Sequence, residues 1–137
     1  MNILFFLKPK NEVEFIYDDD SLGEAMEKME KHSYSAIPLI SRQHGTYIGT
    51  VTARDLLWEI KNHHAFSASE AAELSMMHVK RGHDNEPVDA DAKMEDLIDK
   101  IANQNFVPVI DDSNIFIGII TRKDVIGYLV KKVNNSK

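Results

Sequence analysis

Apolar positions along the chain fall into two runs with the same order of periods. "VEFIY", residues 13–17, is rich in β-branched and aromatic residues and predicts a short strand. Ser21 then opens a helix, with Glu24 completing a capping box and Leu22, Ala25, Met26 and Met29 at helical spacing. "AIPLI", residues 36–40, is a continuous apolar strand in which Pro38 predicts an edge position or a strand start. "SRQHG" turns the chain, "TYIGTV" forms the next strand, and "TARDLLWEIKNH" is a helix with Leu56, Leu57 and Ile60 on one face.

The second half repeats this order. A short strand near Val88 precedes a helix carrying Met94, Leu97, Ile98 and Ile101. "FVPVI", residues 106–110, matches "AIPLI" proline for proline; "DDSN" is the turn, "IFIGII" the strand and "TRKDVIGYLVKK" the last helix. The offset is 72 residues at the first helices, 70 at the prolines and 69 at the glycines. Matched order over such a length means two copies of one supersecondary unit, each too small to bury its own apolar face. The expected division is 1–64, the first repeat with a short N-terminal segment, and 65–137, a linker helix with the second repeat. Within the linker, "SASEAAEL" predicts a short helix capped by Ser67 or Ser69.

A chain of 137 residues with 43% apolar content is long enough to fold on an apolar core. It has no cysteine, which excludes a disulfide framework and a cysteine zinc site. The longest apolar run near the start, Ile3 to Leu7, is too short for a membrane span or a signal-peptide core, so a cytoplasmic protein without a membrane partner is expected. A net charge of -6 argues against a nucleic-acid partner but leaves room for a small anion held by local cations.

The motifs "IGTVTARDLL" and "IGIITRKDVI", each behind a proline-bearing strand, resemble the tandem CBS domain, named after cystathionine beta-synthase and also called the Bateman module. The small stand-alone bacterial type fits best, and the resemblance covers about Val13 to Val130. It implies an α+β fold: two β-α-β-β-α repeats packed sheet to sheet with pseudo-two-fold symmetry and two clefts. Many members hold AMP, ADP, ATP, S-adenosylmethionine or cyclic di-AMP there, and pairs of modules commonly form a homodimer. The module is not itself an enzyme; it regulates an attached or separate protein partner. No further cofactor is implied, the adenine nucleotide being a regulatory ligand.

The resemblance assigns ligand contact to Thr52 and Asp55 and to Thr121 and Asp124. An ionised carboxylate can accept both ribose hydroxyls, while a Thr hydroxyl and free helix N–H groups can meet a phosphate. The same Thr-x-x-Asp is also a plain capping box that binds nothing, and both readings stand together. Arg54, Arg122 and Lys123 sit at helix starts, where a cation is disfavoured unless an anion visits; a solvated surface position is the alternative. Adenine would lie against Tyr34, Ser35, Ala36, Ile37 and Pro38 in the first repeat and Phe106, Val107 and Pro108 in the second. Ala36 leaves room for a ring, whereas Phe106 either stacks on adenine or fills the pocket, so the first cleft is the stronger candidate. "SYSAIP" with "TRK" also resembles cyclic di-AMP binders.

Other features carry less. Asp18, Asp19 and Asp20 read as a solvated run before a helix, and no metal site is assigned. The six histidines, His63, His64, His78 and His83 among them, contain no H-E-x-x-H pattern. Trp58 and the Met76-Met77 pair read as core or dimer contacts. No nucleophile with a base, metal triad or phosphate loop supports catalysis. The competing function is a degenerate module that serves as a dimerisation or protein-interaction scaffold without nucleotide.

Overall fold

The computed structural model describes residues 1–32, 34–62 and 67–136. In chain order its strands and α-helices are β1 (Lys8–Pro9), β2 (Ile16–Tyr17), α1 (Leu22–His32), β3 (Ala36–Ile40), β4 (Tyr47–Thr52), α2 (Ala53–Asn62), α3 (Ala68–Ala72), β5 (Val88–Asp89), α4 (Met94–Ile101), β6 (Phe106–Ile110), β7 (Phe116–Thr121) and α5 (Arg122–Asn135). The fold is α+β, and the β-α-β-β-α order expected from the repeat is present twice. The chain forms two compact units, Glu14–Asp84 and Met1–Val13 with Asn85–Lys137.

In the unit of residues 14–84 the sheet order is β2-β3-β4. The strand β3 is therefore central, parallel to β2 and antiparallel to β4, which corrects the edge position expected from Pro38. The reason is the shortness of β2: it meets only Leu39 and Ile40, so Pro38 lies just outside the parallel ladder and its missing N–H costs no bond there. Ser21 accepts from the Glu24 N–H at 3.1 Å and so starts α1 where the capping box placed it. Along α1, Leu22, Ala25 and Met29 turn inward onto Ile37, Leu39 and Val51 of the sheet, while Met26 remains 37% exposed. Leu56 of α2 and Met76 and Val79 of the linker complete this core. Ser67, rather than Ser69, caps α3 by accepting from the Glu70 N–H at 3.2 Å.

The other unit repeats the design with one addition. Its sheet runs β1-β7-β6-β5, and β1 comes from the N-terminal segment, pairing antiparallel to β7. A 3-10 turn, Ile3–Phe6, precedes β1 and drops Ile3 and Phe6 into a core with Leu97, Ile101, Val107, Val109, Ile120 and Val125. Ile3 and Phe6 of the "ILFFL" run are thus core material, a role that apolar period alone did not reveal.

Equivalence of the repeats extends to single hydrogen bonds. Ala36 faces Thr52 and Phe106 faces Thr121 across their ladders. The Ala53 N–H donates to the Ser35 carbonyl at 3.0 Å, and the Arg122 N–H donates to the Asn105 carbonyl at 2.8 Å. Both ladders also shift register at the same place, between Leu39 and Ile40 and between Val109 and Ile110.

Candidate functional site

Each repeat brings the first residue of its proline strand beside the start of its last helix. In residues 14–84 the junction of β4 and α2 carries a complete capping box. The Asp55 N–H donates to Thr52 Oγ1 at 3.1 Å, and the Thr52 N–H donates to Asp55 Oδ2 at 2.9 Å. Asp55 is 5% exposed, and its other oxygen, Oδ1, accepts from the Gly82 N–H at 3.0 Å. Its carboxylate is thus held by two backbone donors, one local and one from the linker.

The linker segment 80–84 is pinned by more than Asp55. Arg81 Nε and a terminal guanidinium nitrogen donate to the two oxygens of Asp84 at 2.9 and 3.3 Å, and the Thr50 N–H donates to Asp84 Oδ1 at 2.9 Å. Burial by itself would raise the Asp84 carboxyl, but Arg81 and the Thr50 N–H outweigh it and hold the pKa below the usual 3.8. A Cβ on Gly49 would run into the Asp84 carboxylate and Arg81 Nε, so the repeated glycine is what lets this segment cross the strand.

Against this junction lies a cavity of about 600 Å³ lined by Thr52, Arg54, Asp55, Trp58, Glu59, Asn62, Lys80, Arg81, Gly82 and His83. Thr52, Arg54 and Asp55 thus line one cavity. Arg54 and Lys80 are exposed and have no ion-pair partner among the described residues. Trp58 is 49% exposed, with the Lys61 ammonium 4.7 Å from its ring centre, and belongs to the cavity wall rather than to the core. Of the methionine pair, Met76 is fully buried and Met77 is 69% exposed. Sequence reasoning did not select the wall formed by Lys80, Arg81, Gly82 and His83. Its only signal is the "KRGH" run, two cations and a glycine in an otherwise weakly patterned linker.

The remaining first-repeat candidates sit close by in the fold. Ala36 occupies the ladder rung opposite Thr52, and Ser35 bonds to Ala53 through its carbonyl. Tyr34 is 44% exposed with one ring face stacked on His32, centroids 5.5 Å apart. Ile37 and Pro38 are buried, Ile37 in the core.

The second repeat differs at its own junction. The Asp124 N–H donates to Thr121 Oγ1 at 3.2 Å, while the Asp124 side chain, 41% exposed, meets the Lys8 ammonium at 3.7 Å. Arg122 turns back onto its own unit: Nε donates to the Ile101 carbonyl at 2.8 Å and a terminal nitrogen to Asn105 Oδ1 at 3.2 Å, closing the end of α4. Lys123 is exposed. Phe106 is 8% exposed, and Val107 and Pro108 are buried. Gly118 plays the part of Gly49, since a Cβ there would strike the Lys8 carbonyl.

The acidic run before α1 is occupied by a cation of the chain itself. Arg42 donates to Asp19 at 2.6 Å and Asp20 at 2.9 Å, and its backbone N–H donates to Asp18 at 3.1 Å. Among the described residues no group of three or more His, Asp or Glu is placed to hold a metal ion. His63 and His64 lie outside the described residues. No helix among the described residues is long and apolar enough to cross a membrane.

Two β-α-β-β-α repeats, one of them with a cation-rimmed cavity at its strand-to-helix junction, define a duplicated module. The chain belongs to the CBS domain family, whose model matches residues 7–62 and 71–131. Among solved structures, CbpB in complex with c-di-AMP is 24% identical, with a TM-score of 0.87 over 98% of this chain and 88% of that one. CbpB from Streptococcus agalactiae is 25% identical, with a TM-score of 0.83 over 97% of this chain and 82% of that one. An L-aspartate semialdehyde sulfurtransferase of Methanocaldococcus jannaschii is 31% identical over 106 residues, 77% of this chain. The match spans 19% of that relative's own length.

Proposed function

We propose that this chain is a regulatory module that binds an adenosine-containing nucleotide, performs no catalysis and signals to a separate protein partner in the cytoplasm. The observation that carries this reading is the cavity beside Thr52, which joins an aromatic face at Trp58 with the cations Arg54, Lys80 and Arg81. A nucleotide asks for both, a flat apolar surface for its base and positive charge for its phosphate. Thr52 and Arg54 would meet the phosphate, and Tyr34, Ser35, Ala36, Ile37 and Pro38 would border the base. Asp55 would add ribose contact through its remaining lone pairs while holding Gly82. Phe106, Val107, Pro108, Thr121, Arg122, Lys123 and Asp124 are the corresponding candidates in the second repeat. The c-di-AMP held by CbpB supports the ligand class.

The test is calorimetric titration and thermal shift of the full chain with AMP, ADP, ATP, S-adenosylmethionine and cyclic di-AMP. A ligand at about 100 times its dissociation constant adds about 2.7 kcal/mol, worth several degrees in a domain of this size. A flat response to every one of them at millimolar concentration defeats the sensor reading.

That flat response would leave the scaffold reading, which has its own support. Ile126, Leu129, Val130 and Val133 are 50%, 37%, 52% and 56% exposed along one face of α5. An apolar helical face of this kind suits a homodimer contact. Sedimentation should report a dimer, and Val130→Glu should yield monomers. A native chain that sediments as a monomer at high micromolar concentration refutes the homodimer.

A further inference from the structure

The two junctions match on their polar side and differ where a base would lie. Thr52 and Thr121 both accept, through Oγ1, the backbone N–H of the Asp three residues on, at 3.1 and 3.2 Å. The Ala53 and Arg122 N–H groups donate to the carbonyls of Ser35 and Asn105, which sets Ala36 and Phe106 on equivalent rungs opposite the two threonines. Ala36 carries a methyl and is half-buried, whereas Phe106 carries a phenyl ring and is 8% exposed. A ring that is to stack on adenine must present an open face to it, and this ring is already covered. Two residues earlier the contrast repeats. Tyr34 is exposed, but its counterpart Gln104 accepts the Glu86 N–H at 2.8 Å and donates to the Glu86 carbonyl at 3.0 Å. At these two positions the second repeat offers a base neither an open ring nor room.

We propose that Phe106 fills the base position of the second repeat, so that the chain takes one nucleotide, in the first repeat. The inference rests on the nucleotide-sensor reading above and narrows it. Thr121 and Asp124 keep the polar half of the second junction, with the Lys8 ammonium 3.7 Å from Asp124. One side chain therefore decides whether that junction can seat a base. Cutting Phe106 back to Ala leaves a space of the size and apolar character that a flat aromatic ligand enters.

The experiment counts ligand per full chain by calorimetry, with AMP and cyclic di-AMP as probes. It compares each count with the fluorescence of Trp58, the single tryptophan of the chain and part of the first-repeat cavity wall. No more than one ligand per chain is expected, with heat and Trp58 fluorescence saturating together. Phe106→Ala should take about two AMP per chain, the second event releasing heat without a change at Trp58. Two ligands on the unaltered chain, or a single site that leaves Trp58 unchanged, overturn the proposal while the sensor reading stands. A folded Phe106→Ala chain that still takes one AMP overturns it too. If the variant does not fold, the count on the unaltered chain decides, since it needs no substitution. If neither probe binds at all, the sensor reading and this inference fall together.

Discussion

Gly49 and Gly118 show how much of this fold depends on the absence of a single atom. At Gly49 the added methyl would meet side-chain atoms of Asp84 and Arg81; at Gly118 it would meet the backbone carbonyl of Lys8, which has no rotamer to move into. Gly49→Ala should cost about 1–3 kcal/mol in urea unfolding, and Gly118→Ala should cost more. Equal or negligible losses would mean that the crossing segments are not held against these strands. Two titrating groups make further expectations at this scale. Burial desolvates the Tyr47 hydroxyl and pushes it up to about 12, outweighing the opposite pull of its 2.7 Å hydrogen bond with Thr50 Oγ1. Because its folded pKa exceeds the unfolded 10.0, the stability it contributes is complete below that value and is lost as pH climbs toward 12. An ultraviolet titration should show one of the four tyrosines ionising after the others. Asp84 has the opposite sign: its stabilising effect is present above 3.8 and disappears as pH falls through its lower folded value. Asp84→Asn should therefore melt earlier than the parent at neutral pH and converge with it in acid; a constant difference at all pH values would remove the ionic explanation.

Among the elements, the N-terminal segment departs furthest from its reading in the sequence. "ILFFL" shows neither a strand alternation nor a helical stripe, because a single 3-10 turn aims Ile3 and Phe6 at the core and leaves Phe5 67% exposed. Ile3→Ala should cost about 2–5 kcal/mol, as for any aliphatic side chain removed from a sealed core. A loss below about 0.5 kcal/mol in urea unfolding would show instead that the segment frays. The helices α1 and α4 were legible because their buried residues keep the 3.6 period and each has an acid in its first turn: Glu24, whose N–H donates to Ser21 Oγ at 3.1 Å, for α1, and Asp96, which accepts from the Lys93 N–H at 3.3 Å, for α4. The centrality of β3 and β6 was not legible, because it depends on how little of each proline strand its parallel neighbour covers. Thr52 and Asp55 could be selected because the motif repeats. Lys80 to His83 could not, because no second copy of "KRGH" marks the other junction.

For the whole molecule, the period read along the sequence and the grouping found in space are cut at different points. Residues 1–13 group with 85–137, and the linker up to Asp84 groups with the first repeat. Native-state hydrogen exchange should place the Lys8 amide of β1 in the same cooperative unit as β7, since Lys8 pairs with Ile119 and Pro9 with Gly118. Exchange of the Lys8 amide at the free-chain rate would detach it from that unit. The pairing of β1 with β7 also bears on how the chain is made. Residues 14–84 contain all of their own sheet, so every strand of that unit is made before the second unit begins. The first thirteen residues emerge before them but find their partner strand only when Thr121 has been added, so Ile3 and Phe6 spend most of synthesis in water. During that interval they are the part of the nascent chain a chaperone would find first.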